Sequence, residues 1–422
     1  MAPQEYQWFP DFLQFFSQNT TIHGLNFIGN RRIYKAERIF WLLTVTVAFG
    51  IISYLVKSNW EHYNANPTMV TIKKDFRNWE NPFPAATACF VDKVDKEKAT
   101  EYIRKKWRIN ETDNKFEYYM NYVKAVSNLT YTTFNLLEPY EHDLTLNDVD
   151  MVDLVTQVHP KLSGTLVTFH TRVKTDWEII LTELGLCFTV NSGFSALLSP
   201  NYTSSKNLIL GMKKENLKCH YLNGLCYARY DSEPDKSLQY YIHSHLDVIH
   251  TTSEAPFLVG NSEEFEINFK LSETYSSPNI RYLSPQQRRC RFDDEPLTKN
   301  VPVYSKSICY MECRYKMAIK MCGCKPYFYK FIGGKVCDIQ GLLCLSSLAH
   351  IFNQSFEYFD CICPQPCNLM VYLKETPHLT KWEMGFFGER ITFRWGLLPP
   401  TTKYHRKILF GFQDFTGTLF IP

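Results

Sequence analysis

The sequence predicts an α+β protein: a single membrane-spanning helix near the amino terminus, followed by a large, strand-bearing domain cross-linked by disulfides. Three observations lead there. Ile39 to Val56, IFWLLTVTVAFGIISYLV, carries no charge between Arg38 and Lys57. All fourteen cysteines lie beyond that run, from Cys89 to Cys367. Strand-like alternation then recurs through the middle of the chain, as in Phe265-Glu-Ile-Asn-Phe269.

At about 1.5 Å per residue the apolar run covers roughly 27 Å, enough for a bilayer core with help from its flanks. Its residues are apolar on every face, unlike the one-sided stripe of a helix packed on a soluble core. A signal peptide would sit at the extreme start and precede a small-residue cleavage site, and neither is present. Arg31, Arg32, Lys35 and Arg38 crowd its start against Glu37 alone, whereas Lys57 and then Glu61 follow it. That bias predicts a cytoplasmic amino terminus and an extracellular remainder. Trp41, Tyr54 and Trp60 stand where amphipathic rings prefer the headgroup levels.

An even number of cysteines, all on the outer side, fits an oxidising compartment. Four sequons would also lie outside, at Asn110, Asn128, Asn201 and Asn353, and these are the expected glycosylation sites. Asn19-Thr-Thr21 would lie in the cytoplasm, out of reach of glycosylation. The 46 basic and 43 acidic side chains leave a net charge of only +3, which is no signature of nucleic-acid binding. With 45% of its residues apolar, the chain can bury a large core.

In chain order, residues 1 to 38 form a short inner segment with two turns, at His23-Gly24 and Gly29-Asn30, before the basic pre-membrane stretch. His23 carries a group that titrates near neutrality, and Gly24 permits backbone angles closed to other residues. Trp60 to Pro67 reads as a connector and Met69 to Ile72 as a short strand. A second strand follows Pro82-Phe-Pro84 and ends at Cys89 and Phe90. Residues 95 to 127 are helical in character, and Asp148 to Val158 is a further helix, ended by His159-Pro160. Gly185 to Asn191 alternates as a half-buried strand. Cys219 and Cys226 bracket a loop short enough for a local bridge.

Ten cysteines crowd the last third, at 290, 309, 313, 322, 324, 337, 344, 361, 363 and 367. Cys309 and Cys313 share a helical face by their spacing. Cys322/Cys324 and Cys361/Cys363 are too close for bonding within each pair, so each member should staple a different neighbour. Outside the cell such a set reads as disulfides rather than a zinc site. No His-Glu-x-x-His, Gly-x-Ser-x-Gly or phosphate-cradling loop occurs. His243, His245 and His250 read as packing or surface residues. The expectation is therefore no enzyme, no catalytic residues, no metal and no cofactor.

Several stretches stand out when read together. They are His23-Gly24 preceded by Asn19-Thr-Thr21, the basic run with Trp41, Phe83-Pro-Ala85 with Cys89, and Gly185-Leu-Cys-Phe-Thr189 with Asn191. Further on come Ser284-Pro-Gln-Gln-Arg-Arg-Cys290, the Cys309 to Pro326 block, and Cys361-Ile-Cys-Pro-Gln-Pro-Cys367 with Tyr372. In type and order, over residues 15 to about 415, these stretches resemble the degenerin/epithelial sodium channel superfamily, in its insect pickpocket branch.

The resemblance implies a subunit of a homo- or hetero-trimeric sodium channel in the plasma membrane. Such a channel has sodium as the permeant ion, is commonly blocked by amiloride, and has an outer part built as wrist, palm, finger, thumb and knuckle. It implies a gating role for His23 and Gly24. It also implies the bridges Cys89–Cys187, Cys290–Cys367, Cys309–Cys363, Cys313–Cys361, Cys322–Cys344 and Cys324–Cys337, with Cys219–Cys226 as the local loop. The segments are then 1–38 inside, 39–56 in the membrane, 57–403 outside, and 404–422 as the approach to a second membrane helix. After Asp414 only FTGTLFIP follows, about 12 Å of helix against a core of about 30 Å. The resemblance thus places the second helix and the selectivity filter outside this sequence, so a non-conducting modulatory subunit or a tethered extracellular sensor is the alternative expectation.

Overall fold

The structure is a computed structural model that describes residues 12, 15–17, 19–30, 32–169, 175–202, 216–233, 237–298, 301–352 and 361–409. The chain divides into two compact units. One comprises Met1–Met69, Pro278–Arg288 and Lys407–Pro422, and the other Val70–Ser277 and Arg289–Arg406.

The first unit is built on a short helix α1, Leu25–Gly29, and a long helix α2, Lys35–Ala65. Helix α2 contains the apolar run, and that window has no buried residues. Phe40, Val47, Phe49 and Leu55 are exposed around its circumference. A helix apolar on all sides and packed on almost nothing is suited to lipid, not to a protein core. It is the one helix among the described residues long and apolar enough to cross a membrane. It also runs further than the sequence reading, which made a connector of Trp60 to Pro67. No glycine or proline occurs between Gly50 and Pro67, Lys57 and Glu61 pair at 4.0 Å one turn apart, and the residue preceding a proline resists helical angles.

The second unit carries β1, Thr68–Lys73, shared with the first at its start, then β2, Glu80–Pro82, and β3, Ala85–Phe90. Helices α3, Lys96–Trp107, α4, Phe116–Ser127, and α5, Met151–Val158, follow. Asp95 and Asp150 cap α3 and α5 by accepting backbone N–H bonds, as at Val152 N, 2.9 Å from Asp150 Oδ1. Next come β4, Gly164–Thr168, β5, Glu178–Thr182, β6, Gly185–Val190, β7, Lys218–His220, β8, Cys226–Ser232, β9, Leu238–His243, β10, Phe257–Val259, and the long β11, Glu263–Ser276. The last third holds β12, Cys290–Arg291, α6, Lys306–Cys322, α7, Ile339–Ser347, β13, Gln365–Pro366, β14, Leu369–Lys374, β15, His378–Lys381, β16, Ile391–Leu398, and β17, Lys403–Ile408.

Eight strands form one sheet along the path β1-β17-β11-β16-β8-β4, with β14 and β15 also on β11. Five form another in the order β10-β9-β3-β6-β5. Phe265, Ile267 and Phe269 share one face of β11, as their alternation requires, and pair in parallel with Phe393, Trp395 and Leu397 of β16. This face meets Tyr240, Val190 and Phe83 in a core between the sheets, where Tyr240 stacks on Phe393 at 4.1 Å. Strand β6 corrects the half-buried expectation: every residue of it is buried, because it is a central strand covered on both faces. A second core joins α3 to α7 through Tyr122, Val126, Leu154, Phe328 and Leu342. The stretch from Tyr404, read from sequence as an approach to a membrane helix, is a strand as far as Ile408. Residues 410–422 lie outside the described residues.

Candidate functional site

Two arrangements carry chemistry beyond packing. The first is the turn at His23-Gly24. Gly24 has φ +97°, which side-chain-bearing residues rarely adopt, and it starts α1 so that the chain doubles back along α2. Arg38 Nε donates to Ile28 O at 3.1 Å, holding the hairpin closed. Trp41 is stacked by Phe27 at 4.7 Å and met edge-on by His23 at 5.6 Å. Arg38, Trp41 and Val45 are half-buried while their neighbours on α2 are exposed, so the inner segment covers one stripe of the helix. A Cβ on Gly24 would sit 2.9 Å from Val45 Cγ2 and 3.1 Å from Trp41 Cε3. Val45 lies about 9 Å along the apolar run from Ile39. The turn therefore reaches the depth of the apolar surface, where irregular backbone is tolerated only against protein or water.

The second arrangement was not visible in the sequence. Glu183, in the turn between β5 and β6, and Arg314, on α6, are both fully buried and pair at 3.2 Å. Tyr329 OH donates to Glu183 Oε1 at 2.5 Å, and Thr251 N and Oγ1 donate to Oε2 at 2.9 Å. Arg314 also donates to Thr252 Oγ1 at 3.0 Å. Tyr131 and Tyr329 share a hydroxyl bond at 2.9 Å, and burial, then the Glu183 charge, raises both phenols well above their ordinary range. Burial, with the Arg314 charge adding to it, lowers His250 to about 4, so its imidazole stays neutral beside the pair. The network ties five separate stretches of chain, around Tyr131, Glu183, Thr251, Arg314 and Tyr329, and only their tertiary meeting creates it.

The cysteines join as Cys89–Cys187, Cys219–Cys226, Cys290–Cys367, Cys309–Cys363, Cys313–Cys361, Cys322–Cys344 and Cys324–Cys337. Cys309, Cys313 and Cys363 place their sulfurs within 4.8 Å of one another, yet each is in a disulfide and none offers a thiolate to a metal. Of the sequon asparagines, Asn110 and Asn201 are exposed and Asn128 is half-buried at the end of α4. Asn353 lies outside the described residues. Among the histidines, His243 sits 2.8 Å from Thr87 Oγ1 through Nε2, in a packing role.

Comparison with known proteins bears on the whole chain. The profile of the amiloride-sensitive sodium channel family matches residues 16–416. Pickpocket protein 28 of Drosophila melanogaster is 22% identical over 385 residues, covering 82% of this chain and 61% of that protein. Sodium channel protein Nach of Drosophila ananassae is 22% identical over 378 residues, covering 85% of this chain and 70% of its own length. Acid-sensing ion channel 1 of Gallus gallus is 20% identical over 392 residues, covering 87% and 68%. The chain thus spans less than two thirds of the pickpocket relative and somewhat more of the other two. None of these relatives is an enzyme by name. With a match that runs from the inner segment through the cysteine-rich third, the chain belongs to the amiloride-sensitive sodium channel family.

Proposed function

We propose that the chain is a subunit of a trimeric, amiloride-sensitive-type sodium channel of the plasma membrane, with its amino terminus in the cytoplasm and its cysteine-rich domain outside. The family match over residues 16–416 is the observation that carries this reading. The charge bias around α2 and the confinement of all fourteen cysteines beyond it support the orientation. In this reading residues 1–38 are cytoplasmic, 39–56 span the membrane, 57–403 are extracellular and 404–422 lead towards the membrane again. Asn110, Asn128, Asn201 and Asn353 then carry glycans. Sodium is the permeant ion, and the partners are the bilayer and related subunits.

His23 and Gly24 act in gating. The seating of Gly24 against Val45 and Trp41 supports that role, because any rotation or shift of α2 changes the space available to the turn. Subunit counting tests the assembly. Stepwise photobleaching of a fluorescent fusion at the cell surface, with the chain alone or beside a complete relative, is expected to reveal three subunits per spot. Single-subunit spots under both conditions would instead favour a tethered sensor.

A further inference from the structure

The second unit contains a cavity of about 560 Å³, large enough for an organic molecule. That lies within the usual range for small-molecule sites. It opens between the end of β9 with its following loop, β10, the first turns of α6, and β14. Leu246, Phe257, Phe269 and Met370 give it apolar walls.

One wall residue is electrostatically incomplete. Asp247 is half-buried, and its carboxylate accepts only a long bond of 3.5 Å from Ser305 Oγ. It belongs to no ion pair among the described residues. A second lining carboxylate, Asp293, is exposed to solvent and so lacks the partial withdrawal from water that marks Asp247, while the remaining charges are engaged or turned to rings. Glu254 pairs with Lys374 at 2.5 Å, Lys374 Nζ stands 5.2 Å over Phe257, and Lys306 Nζ stands 5.6 Å over Tyr310. His243 and His250 also line the space, but burial lowers both, so neither supplies a positive charge at neutral pH. A carboxylate partly withdrawn from water is stabilised by a cation, and aromatic walls favour one that carries hydrocarbon.

We propose that this cavity is a binding site for a small organic amine, with the ammonium on Asp247 and the hydrocarbon against Phe257, Phe269 and Met370. The probe is phenethylamine, titrated calorimetrically into the detergent-solubilised chain, with 2-phenylethanol as its uncharged counterpart. Phenethylamine is expected to bind saturably at one site, at least tenfold tighter than the alcohol. Asp247→Asn is expected to remove that advantage and leave the alcohol unchanged. Ala255→Trp, at the exposed rim, is expected to block both ligands without moving the unfolding midpoint, which keeps the proposal testable even where Asp247→Asn folds poorly. Equal affinity for the two probes, amine binding that survives Asp247→Asn, or no saturable binding at millimolar amine would each overturn it.

Discussion

Arg314 and Glu183, 131 residues apart in sequence, meet at 3.2 Å with neither side chain exposed to solvent. Removing one partner leaves the other charge buried and uncompensated. Arg314→Met is therefore expected to destabilise the domain by about 3–5 kcal/mol, whereas the double change Glu183→Leu with Arg314→Met should recover much of that loss. Denaturant unfolding of the four proteins checks it, and additive losses would contradict the pairing.

Acid should act through His159, which is buried and lies within 3.1 Å of Leu186 O. Burial lowers it from 6.5 to about 4, against the raising effect of two carbonyls. Because the folded value is the lower one, its contribution is full above pH 6.5 and is lost as pH falls from 6.5 towards 4. The slope from this one group is about 1.4 kcal/mol per pH unit in that window. His159→Gln should flatten the fall in unfolding midpoint between pH 7 and pH 4.5, and an unchanged slope would exclude it.

How much of this was readable beforehand differs by element. The lack of charge from Ile39 to Val56, the alternation at Phe265 to Phe269 and the helix stop at His159-Pro160 are local signals, and each reports the environment its own segment meets. Strand β6 misled because alternation describes only one covered face, while the second cover comes from residues far along the chain. Glu183 and Arg314 left no trace for the same reason: a lone charge in a turn or on a helix ordinarily faces water. The His23-Gly24 turn was legible as a turn, but its contact with Trp41 and Val45 needed the hairpin between α1 and α2.

Replacing Gly24 by Ser adds a side chain at φ +97°, with a Cβ only 2.9 Å from Val45 Cγ2. The backbone term alone costs about 1–2 kcal/mol. In a conducting assembly this change is expected to lower open probability at equal surface amount, as judged by single-channel recording with surface biotinylation. Val45→Ala should relieve the contact but not the backbone strain, so rescue should be partial. Wild-type open probability in Gly24→Ser would remove the turn from gating.

The closely spaced cysteines make the bridging pattern checkable without activity. Non-reducing peptide mapping should recover Cys322 joined to Cys344 and Cys324 joined to Cys337. Loss of the buried Cys89–Cys187 bridge through Cys89→Ser with Cys187→Ser should cost about 2–4 kcal/mol. Alkylation of Cys322 or Cys324 in the unreduced protein would contradict the pattern.

The most direct measurement is whole-cell current in cells expressing this chain with a complete channel-forming relative, compared with the relative alone at matched surface amount. Presence of the chain is expected to change the amplitude or amiloride sensitivity of an inward current whose reversal potential follows the sodium gradient. A current identical in size, selectivity and block with and without the surface-delivered chain would contradict its place as a channel subunit.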